Sequence, residues 1–207
     1  MARSGMSAIA ALRLNALRVA AGTLLAFCAT AAQAHLVQSG LGPLYDGVVH
    51  LVLTPEDLIP AMALALLAGL RGKAYGRRVM FALPLAWLLG GVCGLWSHAA
   101  GGTDLAWLLF VLLGGLIASD LSVSLLAVTV LTALVGFYKG FESGVSLRDA
   151  GGGAAGLIGM TAALFVLASM VSALFVAWRW TYATIVGRAA GSWIAASGLL
   201  LLGWSLR

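Results

Sequence analysis

What most constrains this chain is a series of apolar stretches, each of a length that crosses a bilayer as a helix. Such a crossing takes about 20 residues at about 1.5 Å per residue. After an N-terminal apolar run there are six, over roughly 56–71, 78–97, 103–119, 121–138, 152–178 and 189–206. In lipid, only a helix or a closed barrel satisfies its own backbone, and uniform apolar runs of this length read as helices. The expected fold is all-α: a polytopic membrane helix bundle with six transmembrane helices after a cleavable signal peptide. The third and fourth stretches meet at Ser119-Asp120, which predicts a tight hairpin, and Gly151-Gly152-Gly153 predicts a loop or frayed turn before the fifth.

Composition narrows the class further. The chain is 62% apolar and 9% charged, whereas a soluble domain is about a quarter charged. Soluble globular, disordered and fibrous classes are excluded. Glycine lets membrane helices approach closely, and Gly90-Gly91-x-x-Gly94, Gly114-Gly115 and Gly152-x-x-x-Gly156 are candidates for such contacts.

The formal charge of +5 separates into parts. Arg3, Arg13 and Arg18 precede the apolar run Val19–Thr30, which ends in Ala32-Gln33-Ala34. Basic n-region, apolar core and small-x-small site describe a signal peptide over 1–34; an uncleaved anchor helix is the competing reading. Removing those arginines leaves a net charge of +2 on residues 35–207. The remaining cations form no face or stripe, so no nucleic-acid partner is expected. Cleavage places the new N-terminus outside. The loops at 71–78 and 179–188 then face the cytoplasm with Arg71, Lys73, Arg77, Arg78, Arg179 and Arg188, against Lys139, Arg148 and Arg207 opposite. That asymmetry obeys the positive-inside rule, and Trp178, Trp180 and Tyr182 suit an interfacial belt. The expected location is a bacterial inner membrane, multi-pass, with a periplasmic mature N-terminus and the lipid bilayer as constant partner. A homo-oligomer is left open. Cys28 departs with the signal peptide, and Cys93 reads as a small buried hydrophobe.

Segment 35–55 is too polar to span and reads as a short periplasmic or re-entrant piece, bracketed by Pro43 and Pro55. Thr54-Pro55-Glu56-Asp57 has the makings of a helix start, with Thr54 as N-cap and acids complementing the dipole.

Chemistry has few places to reside. The acids and histidines are His35, Asp46, His50, Glu56, Asp57, His98, Asp104, Asp120, Glu142 and Asp149, and all but Asp120 fall toward the outer face. Asp46 and His50 are four apart, on one face of a helical turn. Imidazole with carboxylate suits late first-row divalent metals better than magnesium or calcium. The candidate metal ligands are His50, Asp46, Asp57, Glu56, His35 and His98. His35 would open the mature chain with an α-amine and an imidazole on one residue. Protonation of His50 below about pH 6.5 is expected to weaken metal binding, because only neutral imidazole ligates. Asp120 is an exit-site candidate or a cap for the fourth helix, and the cap is the preferred reading.

The stretch Gly47-Val-Val-His50-Leu-Val-Leu-Thr-Pro-Glu56-Asp57-Leu-Ile-Pro resembles the first-helix signature of the HupE/UreJ family. Phe137-Tyr-Lys-Gly-Phe-Glu-Ser-Gly144 is similar to a second family motif at the end of its fourth helix. The resemblance implies a membrane protein of about this size, associated with hydrogenase and urease loci and regarded as a nickel or cobalt permease. It also implies that Glu56 and Asp57 stand at a family aspartate and histidine, and that Lys139 and Ser143 stand at family histidines. A transported divalent metal ion is then the expected partner, with no resident cofactor and no catalytic residues. A non-transporting membrane scaffold is the alternative. An intramembrane metal-dependent hydrolase is weaker still, since no His-Glu-x-x-His cluster is present.

Overall fold

The chain was described from a computed structural model, in which residues 40–98, 105–177 and 181–206 are described. The signal segment 1–34, His35, Asp104 and the Trp178–Trp180 part of the aromatic belt lie outside the described residues. The described chain forms seven helices in the order α1 (Pro43–Leu53), α2 (Pro55–Arg71), α3 (Lys73–Trp96), α4 (Ala106–Ala118), α5 (Leu125–Asp149), α6 (Gly153–Ala177) and α7 (Thr181–Ser205), with no strand among the described residues.

Four of these helices, α3, α5, α6 and α7, are long and apolar enough to cross a membrane. The other two expected spans differ. The first is half of a broken element: α1 and α2 meet at Thr54 with a bend of 75°. The third, α4, has 13 residues, or about 20 Å of helix against a hydrocarbon core of about 30 Å. Of the helix boundaries, two move furthest. α5 continues through Asp149 rather than stopping near 138, and α7 begins at Thr181 rather than 189. In both cases a charged residue, Lys139 or Arg188, ends the apolar run without ending the helix, because each finds a partner.

The outer surface carries large apolar side chains, including Leu85 and Leu89 of α3, Leu134 of α5 and Trp193 and Leu200 of α7. Such a surface belongs in lipid. The interior is filled by Leu64, Leu67, Leu83, Trp87, Leu113, Met160 and Leu164. The Trp87 indole N–H donates to Met160 Sδ at 3.2 Å. Cys93 is exposed on α3, contrary to the buried role expected of it.

Helix pairing is set by glycine. α3 packs chiefly on α5, α4 on α7, and α1 on α6. In the α3–α5 seam, Gly90 and Gly94 lie against the backbone carbonyls of Phe137 and Phe141, while Gly140 and Gly144 lie against those of Trp87 and Gly91. A Cβ at any of the four would fall far inside van der Waals contact with backbone. Gly114 meets Gly191 and Ala195 in the α4–α7 seam in the same way, and Gly47 meets Gly156 where α1 crosses α6. Of the glycines singled out in the sequence, Gly91 faces the Leu157 side chain and Gly152 the Leu147 side chain, while Gly115 has nothing within 4 Å.

The α4–α5 connection is longer than a tight hairpin and is strapped to α2 and α3. Ser124, not Asp120, caps α5, its Oγ accepting from the Ala127 N–H at 3.2 Å. Asp120 holds a positive φ of 51°, and its carboxylate lies 3.0 Å from Arg71. Arg71 also donates to the Leu121 carbonyl, and the Tyr75 hydroxyl donates to the Val123 carbonyl at 3.0 Å. Asn tolerates the left-handed region as Asp does, so Asp120→Asn isolates the charge. With Asp120 41% exposed, the expected loss is under about 1 kcal/mol, read as a small shift in thermal unfolding that vanishes at high salt.

Candidate functional site: a buried ion cluster at the α1–α2 bend

The bend at Thr54 is closed by its own backbone. The Thr54 N–H donates to the His50 carbonyl at 2.9 Å, and its carbonyl accepts from Asp57 and Leu58, both at 3.0 Å. The Thr54 side chain makes no capping bond, while Pro55 takes the first helical position of α2, where its missing N–H and fixed φ cost nothing. This geometry aims the end of α1 and the first turn of α2 at one point, and α5 supplies the third wall.

There Asp57 is 4% exposed, Lys139 4% and Ser143 2%. The Lys139 ammonium lies 2.9 Å from Asp57 Oδ1 and 2.7 Å from Glu142 Oε2. Ser143 Oγ is 3.3 Å from Asp57 Oδ2 and 2.8 Å from the Lys139 carbonyl, so its single proton serves one at a time. The Tyr138 hydroxyl donates to Glu142 Oε1 at 2.5 Å. His50 Nε2, from α1, stands 3.8 Å from Asp57 Oδ2, close but beyond hydrogen-bond range. Tyr138, Lys139, Glu142 and Ser143 share one face of α5 through i, i+3 and i, i+4 spacing. A lone ion at this depth would be very costly; here each charge has an opposite charge in contact.

Of the candidate ligands, the structure brings together His50 and Asp57. Asp46 sits one turn before His50 on α1 and is half-buried, while Glu56 and His98 are exposed. Among the described residues, no three His, Cys, Asp or Glu side chains converge as a metal-holding group. The helix-dipole role expected for Asp57 is thus incomplete, since its carboxylate is turned inward onto Lys139. Sequence reasoning missed Tyr138 and treated Glu142 as an outer-loop acid. The signal that could have found them was the spacing of Lys139, Glu142 and Ser143, which continues the helical period of α5.

The two residues at positions where the resemblance implied histidine, Lys139 and Ser143, are the ones that reach Asp57 from α5. A family model described as HupE / UreJ protein matches residues 23–201. The chain belongs to the HupE/UreJ family. No curated protein and no solved structure gives a match. HupE/UreJ membership together with the apolar helices makes this a multi-pass membrane protein of an accessory, metal-related kind. In this HupE/UreJ protein the Lys139 ammonium lies between the carboxylates of Asp57 and Glu142.

Proposed function

We propose that the protein carries a divalent transition-metal cation of the nickel or cobalt class across a bacterial inner membrane, with its mature N-terminus, after loss of residues 1–34, in the periplasm. The six crossings of this reading are the broken α1–α2 pair, the short α4, and α3, α5, α6 and α7. The single observation that carries it is the ion cluster: two inward carboxylates, Asp57 and Glu142, gathered around one cation with the His50 imidazole beside them. Carboxylate oxygen and imidazole nitrogen are donor types suited to nickel, cobalt or zinc, and with Lys139 in place the three side chains do not converge as a metal-holding group. Lys139 is the resident cation of this site. A divalent ion enters as the lysine side chain swings aside, and two carboxylates with a 2+ ion leave less uncompensated charge than two carboxylates alone. The flexible four-carbon stem of lysine makes that exchange conformationally simple. Half-buried Asp46 and exposed Glu56 and His98 belong to the approach, where acids and imidazole concentrate cations ahead of the site.

Uptake of radioactive nickel or cobalt into proteoliposomes tests the reading. Saturable uptake is expected from the wild type, with Asp57→Asn and His50→Ala weakening apparent affinity by on the order of 10-fold or more. Uptake that ignores both substitutions sinks it. A second reading, a non-transporting membrane scaffold, is favoured by one fact: Lys139 already satisfies both carboxylates. It predicts no uptake from wild type or variants.

A further inference from the structure

Away from the ion cluster, the α3–α6 seam is packed on its inner side by Trp87 on Met160 and opens into two hollows. At the end where α3 begins lies a cavity of about 810 Å³, with Lys73, Gly76, Arg77 and Met80 on one wall and Ala173 and Val176 on the other. The same seam continues into a second hollow of about 480 Å³ between Pro84 and Leu88 of α3 and Ile158 and Ala162 of α6. The rings of Phe81 and Phe165, with centroids 5.8 Å apart, pack at the junction. Apart from the cations at its mouth, two serines and Thr161, the lining is apolar.

Those cations are unusual in this molecule. Arg71 pairs with Asp120, Lys139 with Asp57 and Glu142, and Arg148 with Asp149, while Arg188 donates to the Ala118 carbonyl. Like their neighbour Arg78, Lys73 and Arg77 are exposed and have no such partner among the described residues, and these two line the larger cavity. They are four apart on one face, in the first turns of a helix whose dipole disfavours positive charge. From Lys73 to Leu88 the seam runs about 22 Å along α3, enough for one acyl chain, which reaches through about half of a 30 Å core.

We propose that this seam is a binding site for an anionic phospholipid, its headgroup phosphate held by Lys73 and Arg77 and one acyl chain lying in the groove toward Pro84. Charge complementarity chooses the headgroup, since basic pockets between membrane helices take anionic lipids. Gly76, which has no side chain, and Ala173, with a single methyl, leave room for the chain. The site does not depend on the cation reading of the Asp57 cluster.

Native mass spectrometry of the full-length protein in mild detergent tests this, using phosphatidylglycerol, phosphatidylcholine and inorganic phosphate as probes. Phosphatidylglycerol adducts are expected to survive where phosphatidylcholine adducts do not. Lys73→Gln with Arg77→Gln is expected to weaken the adduct by about 30-fold, the share of two basic contacts. Ala173→Trp keeps both charges and fills the groove, and it too is expected to remove the adduct. Arg78→Gln, a neighbouring cation outside the larger cavity, is expected to retain it. Equal retention of the two lipids, adducts that persist in Ala173→Trp, or displacement by inorganic phosphate at concentrations matching the lipid would each overturn the proposal.

Discussion

Lys139→Met is expected to lower stability by about 3–5 kcal/mol, the cost typical of removing one partner from a buried ion pair. For a chain of this size that is a fall of roughly 10 °C or more in thermal unfolding, measured on purified protein in detergent. The reason is local. Asp57 is left with the Ser143 hydroxyl, Glu142 with the Tyr138 hydroxyl, and two carboxylates face one another with no cation between them. Adding Asp57→Asn to Lys139→Met removes one of the stranded charges and is expected to restore much of the loss. That non-additivity is the mark of groups acting as a unit. The same single variant also tests the resident-cation reading. With the ammonium gone, nickel or cobalt should bind Asp57, Glu142 and His50 more tightly, and the melting temperature should climb with metal concentration. An identical metal response in wild type and Lys139→Met would show that the lysine does not compete for the site.

Gly140→Val is expected to prevent recovery of a monodisperse protein. The new Cβ would fall on the Trp87 carbonyl oxygen, a backbone atom that cannot rotate away as a side-chain tip can. Trp87 is itself fully buried and tied to Met160, so relief requires α3 and α5 to separate along their length. Overpacking typically costs about 1–3 kcal/mol, and a backbone collision at a helix seam belongs at or beyond the top of that range. Gly115→Ala is the matched control. Nothing lies within 4 Å of its Cβ position, and alanine favours helix by up to about 1 kcal/mol, so stability should hold or rise slightly. Yield and elution profile in detergent read both variants, and a well-behaved Gly140→Val would mean that the α3–α5 seam is not as close as described.

The apolar runs made the helical class and most helix positions legible, because periodicity is unnecessary where lipid surrounds a helix on every outward face. They failed at two kinds of place. Where a charged side chain finds a partner in space, as Lys139 does in two carboxylates and Arg188 in the Ala118 carbonyl, hydropathy ends the run although the backbone continues. Where the chain bends, as at Thr54, local signals describe each half well and say nothing of the angle between them. His50 and Asp57 stand out in the sequence, and Asp46 is the pairing that helical spacing offers His50, because spacing is visible along a chain and a meeting across a bend is not. Lys139 and Ser143 were marked as departures from a family pattern. Their physical meaning appeared only when both were found touching Asp57.

The contact between α1 and α6 has a consequence for how the molecule comes to be built. With 11 residues, α1 extends about 16 Å, too short to settle across a bilayer by itself. Its seat is the close approach of Gly47 to Gly156 and of Leu44 to Gly159, and those residues are made late in synthesis. Until α6 arrives, the segment bearing His50 has no place to dock, whereas α2, α3 and α5 already bring Asp57 and Lys139 together. Packing in the order of synthesis would complete the carboxylate–ammonium pair first and deliver the imidazole last.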